Sequence, residues 1–157
     1  MMWCEAPSAA EVATLLSGLF GRPTTVKEVP VTPRPLGGPV TVFVRPDKTP
    51  AAIAVSDFPF AATVGAVLTM LPPATAKDAA TRKDISGTLA ENLAEVLNVV
   101  SSRLTRTPNR VIMRLPFTVA TLVPDDAKAI HAKPGRRVDY DVDVAGYGGG
   151  KIAFFLS

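Results

Sequence analysis

The sequence predicts an α+β domain, with helices packed on an antiparallel or mixed sheet. Three observations carry this. Apolar residues recur at helical spacing after Ser8 and again through residues 85–104. Valines alternate with other residues at 40–44 and 138–144, the period of a half-buried strand. Hydrophobic residues make up 47% of the 157 and charged residues only 20%, enough apolar surface for one core and too little charge for a disordered chain. One domain spanning 1–157 is expected.

Ser8 and Glu11 stand at capping-box spacing, followed by Val12, Leu15, Leu16, Leu19 and Phe20. A helix over about 9–20 follows, with Gly21 at its end. Residues 25–31 read as a strand that Pro30 confines to an edge. Val40, Val42 and Val44 form a second strand. The Pro46–Pro50 stretch is turn chemistry, and Ile53 and Val55 close a hairpin. Asp57 suits the N-cap of the next helix, whose first turn tolerates Pro59 and which stops before Pro72-Pro73. A polar link then leads into one long helix, opened by Thr75 or Asp78 and running to about Leu104. Strands are expected at 110–115 and 117–123, broken by Pro116, then a short helix at 125–131. A strand at 137–144 presents Arg137, Asp139, Asp141 and Asp143 to solvent. The turn Gly146–Gly150 leads to a last strand carrying Ile152, Phe154 and Leu156.

Composition narrows the function. The net charge of +3 is scattered and aromatics are 6%, which argues against a nucleic-acid surface. One cysteine, Cys4, and one histidine, His131, cannot build the common zinc frameworks; no intrinsic cofactor is expected. The lone cysteine and the absence of a signal-peptide pattern at the N-terminus predict a cytoplasmic protein. Residues 51–71 are apolar, but Ser56, Asp57 and Pro59 interrupt them, so no membrane association is expected. Asp139–Asp143 fails the calcium-loop pattern because Val144 and Gly150 stand where Gly and Glu are required. Gly146–Lys151 fails the phosphate-loop pattern at Ala145 and Ile152. His131 reads as surface, and Trp3 as packed near the first helix.

The chemistry concentrates on the long helix. At 100° per residue, Ile85, Leu89, Leu93, Val96, Leu97, Val100 and Leu104 share one face. Asp84, Glu91, Glu95, Asn98 and Ser102 share the other. Glu91 and Glu95 are like charges one turn apart with no basic residue three or four positions away, mildly unfavourable for the isolated helix. A solvated face is the plainer reading of such a row; a binding surface is the sharper one.

The run Glu91-Asn92-Leu93-Ala94-Glu95-Val96-Leu97-Asn98 resembles the signature helix of the CheC/CheX/FliY chemotaxis phosphatases: an acidic or serine residue, three spacers, Glu, two spacers, Asn. The order of helices and strands also resembles a CheX-like domain over nearly the whole chain. Glu91 stands where that family usually has Asp or Ser, and Ser102 where it often has Gly. One copy of the motif is present, as in a single-site CheX-like member. The resemblance implies hydrolysis of the phosphoaspartate of a response-regulator receiver domain such as CheY. Asn98 would orient the attacking water and Glu95 would pair with the receiver lysine. Glu91 and Ser102 would contact the partner, and the receiver would supply Mg²⁺. It also implies that self-association into a homodimer, through sheet edges or helices, is open to the chain. A catalytically inactive CheX-like interaction module on the same fold is the alternative, and a flagellar-switch-related structural domain a third.

Overall fold

The computed structural model describes residues 5–104, 112–118 and 124–157. Among them are α1 (Ala9–Phe20), β1 (Thr24–Val29), β2 (Val40–Val44), β3 (Pro50–Ser56), α2 (Phe58–Val67), α3 (Pro73–Arg82) and α4 (Thr88–Ser101). There follow β4 (Ile112–Thr118), α5 (Asp125–Ala132), β5 (Arg136–Val144) and β6 (Gly148–Leu156). The strands form one sheet in the order β1-β5-β6-β3-β2-β4. Every adjacent pair is antiparallel, so the sheet is not mixed. Cys4 and Trp3 lie outside the described residues, as do the outer parts of the stretches expected as strands around Pro116.

Local chemistry sets the first half as expected. Ser8 and Glu11 form the complete capping box of α1, and Gly21 closes the helix at φ 64°. β1 takes the sheet edge and stops at Val29, before Pro30. Asp57 caps α2 through the Phe60 amide at 2.8 Å.

Alternation along the strands builds two cores. Phe43, Ala52, Ala54, Tyr140, Ile152 and Phe154 face the layer of α1–α4. Val42, Val44, Ile53, Val55 and Phe155 face the other way, where Ala127 and Ile130 of α5 cover them. The protein is thus three layers, with the sheet buried in the middle.

Four expectations need correction. The long helix is two helices. Lys83 ends α3 in the left-handed region at φ 54°, residues 84–87 turn, and Gly87 opens α4 at φ 56°. Thr75 and Asp78 therefore belong to α3, and Asp84 leaves the row formed by Glu91 and Glu95. Pro116 does not break its strand: β4 runs through it on the sheet edge, where proline is tolerated. The pairing shifts there, since Val40 faces Thr118 and Val42 faces Leu115. Only residues 145–147 form the last turn; Gly148, Gly149 and Gly150 are in β6. A Cβ on Gly150 would lie 2.4 Å from the Asp57 carboxylate and the Phe60 amide, so α2 starts directly on bare strand backbone. Finally, Asp139 is not solvated. It is 1% exposed and held by Arg137 at 2.8 and 3.0 Å, while its Oδ2 accepts from the Thr32 amide.

Candidate functional site

α4 is held by an apolar stripe. Leu89, Leu93, Val96, Leu97 and Val100 are buried against neighbours in α2, β4 and α1. The approach to α2 is close, because Gly65 has no side chain: a Cβ there would meet the Leu89 carbonyl oxygen at 2.7 Å. Beside that contact Asn92 is buried, and its Nδ2 donates to the Gly65 carbonyl and to Thr69 Oγ1, both at 2.8 Å. The bond to Gly65 is buried and that to Thr69 partly so, and together they set α4's rotation and height on α2. The sequence contained the signal, a polar residue between apolar positions of the stripe, but periodicity alone did not mark it as structural.

That clamp fixes what the opposite side shows. Glu91, Glu95 and Asn98 are all exposed, on one side of α4. Their four- and three-residue spacings place them about 6 and 4.5 Å apart along the axis. Neither carboxylate has a salt-bridge or hydrogen-bond partner among the described residues. Ser102 is exposed just past the helix end, and its hydroxyl donates to the Val99 carbonyl at 2.7 Å. It follows the row in space, with its proton engaged by its own helix.

The arrangement offers a carboxylate as acceptor or ion-pair partner and, one turn on, an amide that both donates and accepts. Among the described residues no group of three or more His, Cys, Asp or Glu side chains could hold a metal ion. No described helix is long and apolar enough to cross a membrane.

A second cluster supports α2 from below. Asp57 Oδ2 accepts from the Lys151 amide at 3.0 Å, and burial pushes its carboxyl above the ordinary carboxylate value. Tyr147, buried at the β5–β6 turn, donates to the Leu71 carbonyl at 2.6 Å, while the Arg22 guanidinium lies 4.9 Å over its ring. The sequence marked Asp57 as a helix cap but did not single out its bond to Lys151 or the contacts of Tyr147 and Arg22. Asp57 seats the start of α2 on β6, and Tyr147 holds the segment after its end, which includes Thr69.

No family model matches the chain, and no curated protein does. Among solved structures, the chain is similar to FliY from Thermotoga maritima at 16% identity, covering 96% of this chain and 84% of that one, with a TM-score of 0.45. It is also similar to the FliM middle domain from Vibrio alginolyticus at 12% identity, with a TM-score of 0.57 over 93% of this chain and 86% of that one. The latter similarity establishes the architecture: an α+β fold like that of the FliM middle domain.

Proposed function

We propose that this chain is a CheX-like phosphatase that hydrolyses the phosphoaspartate of a response-regulator receiver domain. The observation that carries the proposal is the state of Glu95 and Asn98. They stand exposed and adjacent, their side chains without ion-pair or hydrogen-bond partners among the described residues, on a helix whose other side is clamped by Leu89, Asn92 and Leu93. Acids on a firmly seated helix, without partners among the described residues, are explained economically by a partner on another protein.

In this mechanism α4 docks beside the acyl phosphate. The Glu95 carboxylate pairs with the receiver lysine and fixes the register. The Asn98 amide donates to a phosphoryl oxygen and accepts from a water in line with the bond to the aspartyl oxygen. Water oxygen forms the new bond to phosphorus as that bond breaks, leaving free aspartate and inorganic phosphate. Little covalent work falls to the phosphatase, so positioning and charge complementarity carry the rate. Mg²⁺ belongs to the receiver. Glu91 extends the acidic strip toward the start of α4, and Ser102 extends the row past its end.

The test is Asn98→Ala with a phosphorylated receiver. Phosphate release falls to the receiver's own rate while complex formation persists; release at the wild-type rate would falsify the mechanism. A silent docking module is the second reading, favoured by the single motif copy and by Ser102 in place of glycine. Wild-type protein that binds the phosphorylated receiver without accelerating phosphate release would establish it.

A further inference from the structure

The face of the sheet turned away from α4 carries a cavity of about 240 Å³. Its wall is the segment of residues 32–38, and its floor is Val40, Val55 and Phe155. The wall is built rather than loose. At one end the Thr32 amide donates to buried Asp139 at 3.2 Å, and the Thr32 carbonyl accepts from Arg137 at 3.3 Å. At the other end the Gly38 amide donates to the Ser56 carbonyl at 2.9 Å, so close that a Cβ on Gly38 would sit 2.4 Å from that oxygen. Between these pins Pro33 and Pro35 limit the backbone and Gly37 turns it at φ 78°. Burying an aspartate is costly unless it is paired and bonded. Here Asp139 is both, and what the pairing holds is the arch over this cavity.

The fully charged side chains of the lining, Arg34 and Arg137, are both basic. Arg34, His131 and Arg137 all border the cavity. Asp139 neutralises Arg137, but Arg34 has no ion-pair partner among the described residues. Arg137 and His131 rest on the Phe155 ring, at 4.6 and 4.7 Å, which fixes their positions. Leu36, Val40 and Val55 supply the apolar part.

We propose that this cavity binds a small organic anion, its carboxylate or phosphate between Arg34 and His131 and its apolar body against Leu36, Val40 and Val55. An enclosed apolar floor with a few converging charged groups is the usual form of a small-molecule site, and a guanidinium favours planar or tetrahedral oxyanions. The site is separate from the row on α4 and does not depend on its chemistry.

His131 is the only histidine, so its ring protons report on this cavity unambiguously in a proton NMR titration of the full chain. The probes are phenyl phosphate, benzoate and inorganic phosphate. Phenyl phosphate or benzoate is expected to move the His131 resonances saturably in the millimolar range or below, as suits a ligand of this size. Whichever of the two binds more tightly assigns the natural ligand as a phosphate ester or a carboxylate. Arg34→Glu, at an exposed position that leaves the fold intact, weakens that binding about tenfold or more. The proposal is overturned if neither organic probe gives a saturable shift, or if Arg34→Glu binds them as wild type does. It is equally overturned if inorganic phosphate binds as tightly as phenyl phosphate, which would leave the apolar wall without a role.

Discussion

Two side chains three positions apart on α4 serve opposite ends. Glu95 stands in solvent without a partner among the described residues, and Asn92 is buried with two. On the proposed mechanism, Glu95→Lys reverses the charge facing the receiver lysine. Receiver affinity should fall, with a weaker dependence on salt, in titrations at low and high ionic strength. Unchanged affinity would remove Glu95 from the interface. Asn92→Ala acts on the fold instead: it leaves the Gly65 carbonyl and the Thr69 hydroxyl without their donor. Urea unfolding should show a loss of about 1–3 kcal/mol. Glu95 and Asn98 were legible in the sequence because an exposed polar row survives any error in where its helix begins. Asn92 was not, since a buried amide and a solvated one look alike until the neighbouring helix is placed.

At the scale of elements, the sequence was easiest to interpret where a side chain bonds its own backbone. The Ser8–Glu11 box and the Asp57 cap set helix starts that no tertiary contact has to arrange. The division between α3 and α4 was hidden because Ile85 is buried four positions before Leu89, continuing the helical spacing through residues that turn. The break lies in backbone conformation: Lys83 and Gly87 both have positive φ, and only the glycine is a usual occupant. Lys83→Gly should therefore raise stability by up to about 1 kcal/mol, read as a higher urea midpoint at constant slope. A drop would mean that the lysine side chain contributes more than its conformation costs. Pro116 misled for the opposite reason. A proline interrupts a central strand, yet β4 lies at the edge, and only the sheet order reveals that.

Across the whole molecule, Tyr140 joins the sheet to the segment preceding α1. Its ring is buried against Phe154, and its hydroxyl donates to the Pro7 carbonyl. Burial, with Glu28 adding to it, pushes the phenol up to about 12 from an ordinary 10. The folded state thus holds its proton more tightly than the unfolded chain. Tyr140 stabilises the fold fully below pH 10, and that contribution is lost as pH rises from 10 through about 12. Unfolding midpoints measured across this window should fall less steeply in Tyr140→Phe than in wild type. Equal slopes would show that Tyr140 does not govern the alkaline limit.

The bare backbone of Gly150 has a further consequence. Strand β6 meets α2 at Gly150 without an intervening side chain, α2 meets α4 at the equally bare Gly65, and Asn92 locks that second contact. The two glycine seams act as shims of zero thickness in a stack that runs from the sheet out to Asn98. Adding a methyl group to either seam would lift the outer helix as a unit, misaligning the amide while leaving every residue that faces solvent chemically untouched.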